Sequence, residues 1–376
     1  MDYRFFGINN DLHPKVASFF GKVIAENQLA HAYLFYGSAG AGKEAFAIEL
    51  AARLLCLNQP GSACGTCESC KMVLNLWHPD LKIIFPMPAK SNIKEKQITD
   101  AFTHKAENPF AQFELTNENS FIGIDTIRAL RQEAFEQPHQ SSKKIIIITD
   151  VEKMRVEAAN ALLKILEEPP PYVIFILVTS NISQILQTII SRCQTIHFKR
   201  PDIHLIQSIA KQYLPGFDEN QLIELLKISN LNMKKLFRYA RPEYQSYLDS
   251  FSGFVESISS SDQVKFIEYF QELINSKDTE QHHVFYELIK LFLLDLLYMA
   301  GNQKEIIRLK HYAGQYKSIG KKNKDTQLLQ DTISQLEEHH SQILDEHHFN
   351  SALILQETFY LLFDLFFNHV SITAEV

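Results

Sequence analysis

The hydrophobic pattern changes character near residue 200. Before it, short unbroken apolar runs alternate with segments whose apolar residues recur every three or four positions. HAYLFYG (31–37), KKIIIITD (143–150), YVIFILVTS (172–180) and SRCQTIHF (191–198) each predict a strand. The second and third have the continuous apolar character of strands covered on both faces. KEAFAIELAARLL (43–55) sets Phe46, Ala47, Leu50 and Leu54 at helical spacing, and EAANALLKILEEPPP (157–171) predicts a helix stopped by its prolines. Strand, glycine loop and helix in repetition predict an α/β domain with a parallel sheet.

After Arg200-Pro201 the strand signals nearly vanish. DIHLIQSIAKQYL and ENQLIELLKISNLNMKKLFRYA predict two or three short helices, and long amphipathic helices follow from about 243, with turn signals near Ser259-Ser260-Ser261, Gly301-Asn302 and Gly320. The expected division is an α/β domain (1–200), a small helical domain (201–242) and a larger helical domain (243–376). Residues 86–120 are polar and weakly periodic and read as an extended insertion.

Composition narrows the class. The chain has 376 residues, 45% apolar and 22% charged, as expected of a soluble globular protein. The most apolar segment, 284–300, contains Glu287, Lys290 and Asp295 and is too short for a hydrocarbon core of ~30 Å, so it predicts a buried helix rather than a membrane span. MDYRFFGINNDLHP shows no apolar core of a signal peptide, and a cytoplasmic location is expected. The net charge of −7 argues against a dedicated high-affinity DNA binder. Basic residues occur only as scattered pairs such as Lys143-Lys144, Lys234-Lys235 and Lys321-Lys322, weak support for a zinc-stabilised DNA-binding scaffold.

Two constellations carry chemistry. GSAGAGKE (37–44) fits the phosphate-binding loop G-x-x-x-x-G-K-[ST] at Gly37, Gly42 and Lys43 but holds Glu44 in the eighth place. It follows a predicted strand and opens a predicted helix, where glycines let backbone N–H groups approach phosphate. The hydroxyl that normally ligates Mg²⁺ is replaced by a carboxylate. Asp150 ends the next strand and could hold Mg²⁺ through water, but Val151 stands where ATPases of this type carry a water-polarising glutamate. Glu152, one residue on, is expected to point elsewhere. The pattern is that of a site that has lost hydrolysis; whether it still takes ATP or ADP stays open. Cys56, Cys64, Cys67 and Cys70 offer four thiolates, enough for a closed, structural zinc site. Cys193 stands apart and reads as a packed cysteine.

Taken in order, HAYLFYGSAGAGK, the four-cysteine insert, WHPDL (77–81), IGIDTIRALR (122–131), KKIIIITDVEKM, NALLKILEEPP (160–170), VTSN (178–181) and SRC (191–193) resemble the AAA+ clamp-loader subunits of bacterial DNA polymerase III, most closely the delta-prime type. The likeness covers about 5–240. It implies an AAA+ phosphate-loop domain of parallel sheet and flanking helices with a zinc-binding insert, a helical lid and an all-α collar. It implies a ring with ATP-hydrolysing gamma/tau subunits and the delta subunit, acting on the sliding clamp and primed DNA. By the same resemblance Arg192 is an arginine finger for ATP on a neighbouring subunit. Gly37, Gly40, Gly42, Lys43, Asp150 and Thr179 are the degenerate nucleotide site, with Thr179 in the sensor position and equally readable as a plain strand-end threonine. Lys234 falls roughly where active relatives carry a second-sensor arginine. Glu167 and Glu168 read as solvated or interface charges, and His31 and His78 as packed histidines. Glu44, Val151 and the lack of a long C-terminal extension argue against the rival within the family, an active gamma/tau-type motor.

Overall fold

The computed structural model describes residues 11–88, 94–113, 115, 120–322, 325–344 and 350–368. The chain divides into two compact units, the first formed by 1–217 with 231–238 and the second by 218–230 with 239–376.

In the first unit, α1 (Pro14–Ala25) precedes β1 (Ala32–Gly37), α2 (Lys43–Leu55), α3 (Glu68–Leu74), β2 (Leu81–Ile84) and β3 (Met87–Pro88). Then come α4 (Glu95–Glu107), β4 (Ser120–Phe121), α5 (Ile124–Ala134), β5 (Lys144–Ile148), α6 (Val156–Glu167), β6 (Val173–Thr179), α7 (Gln187–Ile190), β7 (Gln194–Phe198) and α8 (Ile203–Tyr213). Five strands form one parallel sheet in the order β2-β5-β6-β1-β7. Its centre is apolar because β5 and β6 are buried at every position, which matches their β-branched composition. One face packs Phe20, Phe35, Phe46 and Phe198 with ring centroids 4.9–6.0 Å apart. Leu34, Ile146, Ile148, Phe175 and Leu177 belong to a second cluster with Ile127, Leu130, Leu162 and Ile165 of α5 and α6. The predicted parallel α/β architecture is present, and β2, whose LKII run is only four residues long, is an additional strand.

The 86–120 segment is not simply extended: it folds the 13-residue helix α4. Ile98, Ala101, Phe102 and Lys105 form its inner stripe. This is an i, i+3, i+4, i+7 face, but a lysine stands where the pattern calls for an apolar residue. Phe102 packs with Phe85 and Phe113, whose rings stack 4.4 Å apart, and the Lys105 ammonium lies 5.2 Å over Phe113.

The 231–238 stretch belongs to the first unit and contributes most of α10 (Met233–Tyr239), while α9 (Glu219–Ile228) belongs to the second. The second unit continues through α11 (Pro242–Ser260), α12 (Gln263–Asn275), α13 (Thr279–Ala300), α14 (Ala313–Lys322), α15 (Thr326–Leu344) and α16 (Ser351–Phe363). The apolar run at 284–300 lies in α13, which is buried on most of its surface. Asp278 caps it by accepting from Glu280 N and Gln281 N. Among the described residues no helix is long and apolar enough to cross a membrane.

Candidate functional site

The predicted phosphate loop joins β1 to α2 and runs on three glycines of positive φ, Gly37, Gly40 and Gly42, at 138°, 68° and 87°. A Cβ at Gly37 would lie 2.1 Å from the Phe198 carbonyl oxygen, so close strand packing requires glycine there. Lys43 turns back onto the loop: its Nζ donates to Gly37 O at 2.8 Å and Ser38 O at 2.7 Å, and reaches Ser180 Oγ at 3.4 Å. Burial, with the nearby Lys234 charge, brings its pKa down to about 8.

Glu44 lies buried between two ammonium groups. Lys105 donates to its Oε2 and Lys234 approaches its Oε1 at 2.6 Å. Lys234 also reaches Asp150 Oδ1 at 3.1 Å, and Lys105 donates to Ala111 O at 2.5 Å. Burial opposes ionisation of Glu44, but the Lys105 and Lys234 charges outweigh it and take the carboxyl down to about 2. For Lys234 burial disfavours the charge, and Asp150 and Glu44 overcome it, raising the pKa. Two carboxylates thus face two ammoniums, and the cluster is charge-balanced within the chain. The small cleft that remains is lined by Gly40–Ala45, Pro109, Phe110, Val178, Ser180 and Lys234.

Asp150 sits at φ 48°, beginning a tight turn over Val151–Lys153. Val151 is buried. Glu152 does not point away as expected: the turn brings its Oε1 within 2.9 Å of Ser180 N, which donates to it, and its charge partly offsets the lowering of the Lys43 pKa. Thr179 is buried at the end of β6, and its Oγ1 accepts from Asn181 N at 3.0 Å, an interaction within its own turn. Gly37, Gly40, Gly42, Lys43, Asp150, Thr179 and Lys234 therefore gather at the C-terminal edge of the sheet. Lys105, Glu152 and Ser180 complete the group and were not foreseen. Lys105 itself interrupts the apolar stripe that would have marked its helix, and Ser180 is visible in the sequence only as part of VTSN (178–181).

Arg192 lies outside this cluster, after α7. Its Nη1 donates to Thr188 O at 3.0 Å and its Nη2 to Glu167 Oε1 at 2.6 Å. Both side chains are accessible, 33% for Arg192 and 49% for Glu167. Cys193 next to it is half-buried, and burial pushes its thiol up to about 12.

The sulfurs of Cys56, Cys64, Cys67 and Cys70 all lie within 4.8 Å of one another, and among the described residues no other group of His, Cys, Asp or Glu is so arranged. Cys56 to Cys67 and Cys64 to Cys70 are each 3.9 Å. Zinc bonds of ~2.3 Å put tetrahedral sulfurs about 3.8 Å apart, so the spacing fits the ion. Backbone N–H groups point at three of the sulfurs: Gln59 N at Cys56, Cys67 N at Cys64, and Cys70 N at Cys67, at 3.3–3.4 Å. Hydrogen bonding, led by Cys67 N, draws the Cys64 thiol down to about 6, in the direction a thiolate ligand needs. The module is fastened to the sheet through WHPDL. Asp80 N donates to His78 Nδ1, His78 Nε2 lies 3.0 Å from Ser69 Oγ, and Ser69 donates to Leu55 O at 2.6 Å. His78 is therefore packed as expected, whereas His31 is exposed.

A family model described as DNA polymerase III, delta subunit, matches residues 12–202. DNA polymerase III subunit delta' of Bacillus subtilis is 34% identical over 190 residues, 50% of this chain and 48% of that protein. The delta' subunit of Pseudomonas aeruginosa is 31% identical over 220 residues, 58% of each chain. The gamma/tau subunit of Mycoplasma pneumoniae is 30% identical over 234 residues, 62% of this chain and 29% of that protein. The similarity thus spans about half the length of the delta' relatives.

Proposed function

The chain belongs to the DNA polymerase III delta-subunit family, and from that premise we propose that it is a delta-prime-type clamp-loader subunit. In this reading it joins gamma/tau-type ATPases and a delta subunit in loading the sliding clamp onto primed DNA. Residues 201–242 serve as the lid and 243–376 as the collar. It hydrolyses no ATP itself and supplies Arg192 to nucleotide held by a neighbour. The zinc module is structural, since four thiolates leave no open coordination position.

The observation that carries this reading is Arg192. It is accessible, follows the short helix α7, and is held by an exposed pair with Glu167. Such pairs contribute about 0–1 kcal/mol, too little to stop the guanidinium turning to a neighbour's phosphate. A planar, permanently charged fork is suited to stabilising charge on transferring phosphate oxygens. Within the chain's own site, buried Val151 follows Asp150, which leaves no water-polarising carboxylate directly after that aspartate.

The test is ATP turnover by the purified chain, alone and then with partner ATPases and primed DNA. The expected result is no turnover alone, and assembled turnover that falls by ~10³ or more on Arg192→Ala. The gamma/tau relatives keep one rival in view: robust turnover by the isolated chain would make it an active motor.

A further inference from the structure

In phosphate-loop NTPases Mg²⁺ is held between the loop's Ser/Thr hydroxyl and the aspartate that ends a neighbouring strand. Here those two places belong to Glu44 and Asp150. The Lys234 ammonium lies between them, 2.6 Å from one carboxylate and 3.1 Å from the other. We infer that Lys234 is a built-in cation in the metal's place and that Lys105 of the inserted helix closes the site, so the loop takes no Mg·nucleotide.

Geometry, charge and space agree. A Mg²⁺ ion between Glu44 and Asp150 would coincide with the ammonium, and two cations cannot share one pair of oxygens. Lys105 has no exposed surface and is bound on both sides, by Glu44 and by the Ala111 carbonyl. The helix that carries it is thereby tied to the start of α2. Pro109 and Phe110, just beyond that helix, line the same cavity. The loop itself is covered, because Met233 N donates to Gly40 O at 3.2 Å. A triphosphate would find little uncompensated positive charge. Lys105 and Lys234 are matched by Glu44 and Asp150, and Lys43 is turned onto carbonyls and lies near Glu152. Glu44 thus has a use that a threonine could not fill: it is the anion that binds both lysines.

This inference rests on reading 37–44 as a phosphate loop and not on the clamp-loader assignment. The test uses the full chain. Titration with Mg·ADP and Mg·ATP is expected to show no saturable binding up to millimolar concentration. Lys234→Ala leaves Glu44 and Asp150 facing an open cation position. Its Tm is expected to fall by roughly 6–20 °C, since an unpaired buried charge is costly. Millimolar Mg²⁺ should then restore about 5 °C or more, while leaving the wild-type Tm unchanged against KCl of equal ionic strength. If the variant folds only when Mg²⁺ is added, that is the same result in stronger form. Micromolar Mg·nucleotide binding by the wild type, or Lys234→Ala without any gain from Mg²⁺, overturns the inference. Either outcome leaves the Arg192 experiment to be decided separately.

Discussion

The Arg192 guanidinium donates to the Glu167 carboxylate across 2.6 Å, joining the end of α6 to the residue before Cys193. Both side chains are accessible, so the pair should contribute little to stability. Glu167→Gln is expected to change unfolding free energy by less than about 1 kcal/mol in urea titration. Its effect should appear in the assembled complex. If Glu167 presents the arginine, partner turnover falls several-fold with Glu167→Gln, and the same change adds nothing in an Arg192→Ala background. Equal losses in both backgrounds would place Glu167 in some other role.

The four sulfurs should bind one zinc per chain, measured by elemental analysis of protein purified without added metal. Cys70→Ser removes a buried ligand, and that protein is expected to lose the metal and several degrees of Tm. Acidification should release zinc from the wild type as thiolates take up protons. Metal retained at full stoichiometry by Cys70→Ser would show that the ion sits elsewhere.

Much of this was legible in the sequence because the signals were local. A β-branched run gives a buried strand, and four cysteines within fifteen residues give a cluster whatever the rest of the fold does. The α4 helix was not legible, because Lys105 breaks its apolar stripe, and only tertiary structure supplies the Glu44 partner that makes a buried lysine tolerable. The position of Glu152 was hidden for a related reason. Register counting from Asp150 assumes a regular backbone, whereas Asp150 itself takes a left-handed conformation and redirects the next residues. Lys234 could be matched only loosely to a family position. Its contacts with Glu44 and Asp150 span 190 and 84 residues of chain, and no periodicity records such pairings.

His78 and Asp80 make acid stability a two-step matter. Burial lowers the His78 pKa below its usual 6.5, so the unfolded chain binds the extra proton first and stability falls as pH drops through and below that value. Burial opposes ionisation of Asp80 too, but His139 N, Gln140 N and Ser141 N donate to its carboxylate and hold the pKa below 3.8. That contribution is present above the unfolded pKa and is lost as pH falls through the folded one, below about 4. Urea unfolding from pH 8 to pH 3 should show both declines. Asp80→Ala should cost about 2–4 kcal/mol at pH 7 by removing three part-buried hydrogen bonds from the 139–141 backbone, and should flatten only the lower step. If Asp80→Ala unfolds with the wild-type profile below pH 4, the carboxylate is not what that step reports.

Gly40 provides a last check on how the phosphate loop is closed. The motif requires glycine at 37 and 42, and position 40 is free in it. The structure requires glycine there for another reason. Its φ is 68°, and a Cβ would fall 1.9 Å from Asn232 Oδ1 and 2.6 Å from Met233 N. The second of these is backbone and cannot swing aside. Gly40→Ala must therefore strain the loop or push the 231–233 backbone off it. A left-handed alanine alone costs about 1–2 kcal/mol, so the total should exceed that. Displacement of 231–233 would also pull at Lys234, only one residue further on, and loosen its hold on Glu44. Hydrogen exchange is the measurement that separates the two responses. Faster exchange confined to 231–238 and the start of α2 is expected. Uniform destabilisation, with 231–238 exchanging no faster than the sheet, would mean the loop absorbs the strain and the covering segment stays in place.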